Sequence, residues 1–348
     1  MLTKSYKIVQ PKRFEIYIDN IEPKEDDAII KIEYAAICKA DIRYYLGKRD
    51  MRVLDKKYPM SLLHEAVGIV IKDYSGKFTV GEKVALVPNI VSNCMEDKCT
   101  NKVCLDNKLG QNYCPRALFA SSNYNGFSRS IIAYPSSNIV RINNNIDLCI
   151  AVFAELISVA NAAIRRIDID KNDRVAVWGD GILGYILCSV LHNIYDVNFT
   201  VIGKHEEKLK EFTADKYILL DDEYKLTSNV DIVFECVGGS NSENAINQII
   251  DTINPGGKIV LAGVPDKNPN IDVRKVLEKG ISIYGVTRSN VNDFYNAISQ
   301  LENDNFYKCI SKLFLDELII NDITDYYKAF EMEILNRKLG KNILKFRF

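Results

Sequence analysis

The feature that most constrains this chain is Gly179-Asp180-Gly181-Ile182-Leu183-Gly184. Three glycines at that spacing are a weak signal alone. Here they follow the run Val175-Ala176-Val177-Trp178. They open an apolar stretch at Ile182–Ile194 long enough for a buried helix, and a second strand-like run follows at Phe199–Ile202. Strand, glycine turn and helix in that order form the phosphate-binding corner of a dinucleotide fold. Gly179 permits the tight turn. Gly181 lets backbone approach a pyrophosphate at the helix N-terminus, and Gly184 lets the helix pack close to the strand. Ile182 and Leu183 lie between them as further cofactor contacts. The alternative is a glycine-rich turn that serves packing only.

The surrounding pattern extends the corner into a domain. From about 151 to 286, strands and helices alternate. A helix is expected around Glu206–Phe212, a strand at Val230–Phe234, and a helix over Asn244–Ile253 with Ala245, Ile246, Ile249, Ile250 and Ile253 on one face. Strands at Ile259–Ala262 and Ile281–Tyr284 complete a parallel series. Residues 1–150 instead alternate in short runs such as Ala66–Ile71 and Lys83–Val87, with turn chemistry at Tyr74–Lys77 and Tyr124–Gly126, which predicts a mostly β domain. Residues 287–348 carry two amphipathic helices and a last strand at Asn342–Phe346. They are too short for a domain of their own and are expected to pack back onto an earlier one. The fold class is α/β, a doubly wound parallel sheet at 151–286 beside a mostly β domain at 1–150 completed by 287–348.

The end of the second strand selects the cofactor. An acidic residue there would bind the 2′-hydroxyl of NAD. The sequence has Gly203-Lys204-His205-Glu206-Glu207-Lys208, where Lys204 and Lys208 suit a 2′-phosphate, so NADPH is favoured over NADH. With 45 Lys+Arg against 46 Asp+Glu, the net charge of −1 argues against a nucleic-acid partner. No apolar run approaches the ~18 residues of a bilayer span. Met1–Lys7 lacks the apolar core of a signal peptide. The expectation is a cytoplasmic protein with no membrane partner. Nine cysteines without an export signal then read as metal ligands or buried thiols rather than disulfides.

Only three histidines exist: His64, His192 and His205. His192 ends the buried helix and reads as structural. His64 is followed by Glu65, Cys38 precedes Lys39-Ala40-Asp41, and Glu155 stands alone in an apolar stretch, where a carboxylate needs a partner. Thiolate, imidazole and carboxylate together suit zinc with a position open for water or substrate. Spacing alone does not bring residues so far apart together.

The pieces in order resemble the zinc-containing medium-chain dehydrogenase/reductase family over essentially the whole chain. They are Cys38-Lys39-Ala40-Asp41, His64-Glu65 with Gly68, Gly81–Val84, the cysteine lobe, Gly126-Phe127, Glu155, the glycine loop, Phe234–Gly239, Pro255–Gly257 and Gly340-Lys341. The resemblance implies a GroES-like catalytic domain and a Rossmann domain. It implies catalytic zinc ligands at Cys38, His64, Glu65 and Glu155, a substrate-side tyrosine at Tyr44, and cofactor contacts at Val237 and Lys341. The Glu beside the His is similar to the polyol-dehydrogenase branch. Arg43–Asp50, Tyr58–Met60, Val87–Asn89, Val276–Gly280 and Arg288-Ser289 are similar to the ribulose-5-phosphate reductases. That likeness implies NADPH-dependent reduction of D-ribulose 5-phosphate to D-ribitol 5-phosphate for CDP-ribitol, teichoic acid or capsule synthesis. It also implies a homo-oligomer (dimer or tetramer) and a cytidylyltransferase as partner. A sorbitol- or galactitol-phosphate-type polyol dehydrogenase is the alternative within the class, and a non-catalytic NADPH-binding protein the alternative outside it.

Two departures stand out. Ala40 replaces the family's proton-relaying Ser or Thr, which leaves Tyr44, Glu155 or water to deliver the proton. Cys94, Cys99, Cys104 and Cys114 are spaced more widely than the family's structural-zinc lobe, yet four thiolates can still close a tetrahedron. A substrate phosphate needs cations, for which Arg43, Arg49 and Arg288 are candidates, with Lys48 as a further one.

Overall fold

The computed structural model describes residues 1–91, 106, 108–220 and 229–348. The chain divides into two compact units. One comprises residues 1–158 and 289–348, the other 159–288.

The first unit is mostly β. Its main sheet runs in the order Ile139–Arg141, Lys83–Leu86, Glu65–Asp73, Asp27–Ala36, Lys341–Phe346, Phe314–Ile320, and Ile131–Pro135 also pairs with Asp27–Ala36. Alternating apolar residues send one face of these strands into a core with Tyr6, Phe127, Tyr134, Tyr326 and Phe330. A smaller sheet joins Arg13–Asn20, Leu2–Gln10 and Met60–Ser61. The segment Ser289–Phe348 packs within this unit. Strand Lys341–Phe346 lies antiparallel to Asp27–Ala36 with Ile343 opposite Ala36, and Ala36 also faces Glu65. That register brings the start of one strand, the end of a second and the start of a third to one spot.

The second unit holds six parallel strands in the order Lys216–Leu219, Phe199–Gly203, Val175–Trp178, Val230–Glu235, Ile253–Leu261, Ser282–Gly285. This is the doubly wound order of a dinucleotide-binding sheet, with Val175–Trp178 at the switch point. The helices Ile182–Asn193 and Ser242–Thr252 lie where periodicity predicts them. The edge strand Lys216–Leu219 and the helix Val273–Lys279 were not anticipated, because neither buries a full face.

The division falls after residue 158 and after 288, not at 150 and 286. The helix Ala154–Ile164 crosses the first boundary. The Ser158 and Ser289 hydroxyls bond at 2.7 Å, which ties both ends of the first unit together. Among the described residues, no helix is long and apolar enough to cross a membrane.

Candidate active site

Cys38 is the N-cap of the short helix Lys39–Tyr45, at the end of strand Asp27–Ala36. Three residues on, Asp41 turns its carboxylate back to accept the Cys38 amide at 3.0 Å. The same buried carboxylate accepts the Leu63 amide at 3.1 Å and the Ser121 hydroxyl, and stands 3.7 Å from His64 Nδ1. Leu63 pays for this approach with a left-handed backbone (φ 71°), a conformation costing about 1–2 kcal/mol that its surroundings must hold. Asp41 therefore fixes Cys38 and sets a negative charge beside His64, whose Nδ1 is buried without a hydrogen-bond partner. Sequence reading noted it only as part of a motif, although a short acceptor at the third helical position is a legible capping signal.

Cys38, His64 and Glu65 come together with ligand atoms all within 4.8 Å of one another. Glu65 starts the strand beside Ala36, and its carboxylate is gripped by Lys341 Nζ at 2.5 and 2.7 Å. Lys341 also reaches the Ile37 carbonyl at 3.3 Å. The Lys341 ammonium, expected from the resemblance to contact the cofactor, is buried against Glu65, where strand register puts it. Glu155 lies outside the trio in the first turn of helix Ala154–Ile164. It is 5% exposed, and its carboxylate makes no hydrogen bond among the described residues.

Donor chemistry and electrostatics both fit a divalent cation. Asp41, Glu65, Glu155 and Cys38 crowd a dry pocket whose basic groups are Lys341 and His64. Glu155 is pushed up to about 7, by burial above all and further by the Glu65 and Asp41 carboxylates, against the pull of His64 and Lys341. Burial works against charging His64, yet Asp41 and Cys38 outweigh it and raise its pKa. The pocket draws in protons as stand-ins for positive charge, which a zinc ion with sulfur, nitrogen and oxygen donors would supply. His64 Nδ1 is buried without a hydrogen-bond partner, 3.7 Å from the Asp41 carboxylate, which leaves the imidazole short of a partner in this anionic pocket.

Tyr44 lies on the same helix, buried, with Lys57 Nζ donating to its hydroxyl at 2.7 Å. Arg49 stacks its guanidinium carbon 5.3 Å from the Tyr44 ring centre. Arg43 is half-buried on the helix, and Arg288 is partly buried with a left-handed backbone (φ 63°) and a pKa lowered by burial. Lys48 is exposed. Cys114 is buried beside Val91 and Ala117, whereas Cys94, Cys99 and Cys104 lie outside the described residues.

In the second unit each glycine of the loop has its own task. Gly179 takes φ 126°, and a side chain at Gly184 would meet the Gly179 carbonyl at 2.2 Å. A Cβ at Gly181 would meet nothing within 4 Å, so a cradle stays open at the helix N-terminus, bounded by Ile182 and Leu183. That space and the free amides fit a pyrophosphate. Val237 is half-buried at the end of the neighbouring strand, its amide bound 2.9 Å from the buried Glu235 carboxylate. Glu235 also accepts the Gly238 and Gly263 amides and so shapes this edge, a role the sequence reading missed.

At the second strand's end the structure departs from expectation. Lys204 is exposed and Lys208 half-buried, but a carboxylate does reach the spot. Asp180, from within the glycine loop, accepts the amides of Lys204 at 2.6 Å and His205 at 2.8 Å. Its charge is spent on backbone donors, a long-range contact that strand-end inspection does not reveal.

Comparison with known proteins agrees with this architecture. The family model described as "Alcohol dehydrogenase GroES-like domain" matches residues 24–144, and "Zinc-binding dehydrogenase" matches 183–303. The chain is 36% identical over 350 residues to ribulose-5-phosphate reductase 1 of Staphylococcus aureus, covering 99% of each. It is 32% identical to the ribulose-5-phosphate reductase of Streptococcus pneumoniae, covering 96% of this chain and 95% of that one. The crystal structure of S. aureus TarJ in complex with NADPH superposes with a TM-score of 0.85 at 32% identity, covering 100% of both chains. The chain belongs to the zinc-binding medium-chain dehydrogenase family, in the group that contains the ribulose-5-phosphate reductases.

Proposed function

We propose that this protein reduces D-ribulose 5-phosphate to D-ribitol 5-phosphate with NADPH in a zinc-dependent reaction. One observation carries the reading: Cys38, His64 and Glu65 converge in an anionic pocket of a chain that is 32–36% identical to four ribulose-5-phosphate reductases. Cys38, His64 and Glu65, with Glu155 nearby, would hold the zinc. Bound there, zinc supplies Lewis-acid polarisation of a ketone, and NADPH supplies hydride.

The chain's own residues do the rest. Asp41 holds Cys38 at the helix start and places its charge 3.7 Å from His64 Nδ1. Lys341 restrains Glu65. Glu155, buried beside the trio with its carboxylate unbonded among the described residues, is placed to hold or pass on a proton at its oxygen. The Tyr44 oxygen accepts from Lys57, which leaves its own proton free to donate to a substrate oxygen. Ala40 offers no hydroxyl, so Tyr44 and Glu155 are the groups on hand for protonation. Backbone amides around Gly181 receive the pyrophosphate, with Ile182, Leu183 and Val237 lining the cofactor and Lys204 and Lys208 serving the 2′-phosphate. The alditol phosphate formed suits cytidylyl transfer in the cytoplasm as the next step.

The test is NADPH oxidation over a panel of ketoses and ketose phosphates, with and without chelator. The expected result is a kcat/KM for D-ribulose 5-phosphate at least 100-fold above D-ribulose, abolished by chelation and lower with NADH. Equal turnover of D-ribulose, or full activity after verified metal removal, would refute it.

A further inference from the structure

The sequence of helix, turn and helix after Cys38 builds a cationic pair that the metal cluster does not use. Helix Lys39–Tyr45 ends at Gly47, in the left-handed region at φ 67°. The Lys48 amide returns to the Arg43 carbonyl at 2.9 Å and the Gly47 amide to the Tyr44 carbonyl at 3.0 Å, the double closure of a glycine-terminated helix. A side chain at Gly47 would strike Pro11 at 2.7 Å, so the turn admits glycine alone. The reversal brings Arg49 back over the Tyr44 ring. Asp50 then caps the short helix Met51–Asp55 by accepting the Arg52 amide at 2.8 Å. That helix delivers Lys57, and Tyr58 cinches it by donating to the Tyr44 carbonyl at 2.6 Å.

Two cations thus converge on one tyrosine. The Arg49 guanidinium carbon stands 5.3 Å and Lys57 Nζ 5.1 Å from the ring centre. Lys57 sits at the hydroxyl edge, where it donates to Tyr44 at 2.7 Å and to Ser122 at 3.2 Å. Neither cation has a carboxylate partner among the described residues. Arg49 Nε is buried with no hydrogen-bond partner. A buried guanidinium nitrogen with no partner, on a tyrosine that a second cation also touches, is costly unless an anion completes the site. The location adds to the case. Ser121, next to Ser122, bonds Asp41, the carboxylate behind His64 and Cys38. Tyr44 is six residues beyond Cys38, about 9 Å of helical rise. In ribulose 5-phosphate five bonds separate the keto carbon from phosphorus, about 6 Å at roughly 1.2 Å per bond.

We propose that Arg49 and Lys57, held against Tyr44, form the subsite that grips the terminal phosphate of a short acyclic ketose. Arg49 supplies the planar fork and Lys57 the point charge. Of the sequence candidates this retains Arg49, and it adds Lys57. The proposal rests on the reading that the substrate is a ketose phosphate.

The experiment compares wild type, R49Q, K57Q and the double variant, each zinc-loaded, on D-ribulose 5-phosphate and D-ribulose. NADPH affinity is measured separately by fluorescence without sugar. Each single variant is expected to lose at least 30-fold in kcat/KM for the phosphorylated ketose, mostly through KM. The preference over D-ribulose should fall more than tenfold. K57R should recover most of that preference, and in wild type inorganic phosphate should compete with the sugar phosphate. These last two measurements stand even if a glutamine variant does not fold. A wild type without preference for the phosphorylated sugar refutes the substrate reading itself. A wild type with that preference, kept intact in R49Q and K57Q, overturns the subsite alone. An NADPH Kd that shifts as much as the sugar KM assigns the pair to the cofactor and also overturns it.

Discussion

Replacing Lys341 by Met tests the electrostatics of the metal pocket. The Lys341 ammonium touches both Glu65 oxygens and is buried with them. Removing one member of such a pair costs about 3–5 kcal/mol, because the other is left charged in a dry site. For a unit of about 200 residues each kcal/mol lowers Tm by roughly 2–4 °C, so metal-free K341M should melt roughly 6–20 °C lower. A zinc ion bound by Glu65 would take over the lost countercharge. Whatever stability the metal restores must then reappear as tighter binding, since the two form one thermodynamic cycle. If zinc recovers half the loss, about 2 kcal/mol, its affinity rises roughly 30-fold. The assay is thermal melting with and without zinc, alongside zinc affinity by chelator competition. Equal destabilisation of both forms with unchanged zinc affinity would show that Glu65 and the metal do not share a charge balance.

Two further outcomes follow from the same pocket. Asp41→Asn, which weakens the partner behind His64 and the brace on Cys38, should reduce zinc affinity about 10–100-fold by chelator competition. The metal-free protein should also lose stability as pH rises from about 4.5 to 7. Over that range unfolded Glu155, with its ordinary value of 4.5, releases its proton while folded Glu155 keeps it up to about 7. The raised His64 acts with the same sign above 6.5. Denaturant melts across this window should show a shallower slope for Glu155→Gln, and an unaltered slope would refute the assignment.

The sequence carried the second unit well, because a strand, three glycines and a helix are neighbours in the chain and each position answers to local geometry. Gly179 takes a positive φ, Gly184 admits a close backbone approach, and Gly181 leaves open space at the helix start. It carried the metal residues only through resemblance, since Cys38, His64 and Glu65 meet by strand register across the sheet. What it missed shares that cause. Lys341 meets Glu65 across 276 positions, and Asp180 reaches across to the end of the next strand. Lys57 finds Tyr44 only after two turns have reversed the chain. The edge strand Lys216–Leu219 was silent because a half-exposed strand lacks the apolar run that marks its buried neighbours.

The strand that begins at Lys341 wedges between Asp27–Ala36 and Phe314–Ile320. During synthesis at roughly 5–20 residues per second, Glu65 emerges about 14–55 s before the ammonium that will neutralise it. Throughout that interval the half-built sheet has an open seam and a carboxylate destined for the interior with no counterion. The nucleotide unit, all of whose strands lie earlier in the chain, can assemble in the meantime. Closure of the catalytic half therefore waits for residue 341, and a ribosomal stall short of that position would leave a nascent chain with a finished nucleotide fold and an unsealed pocket around Glu65.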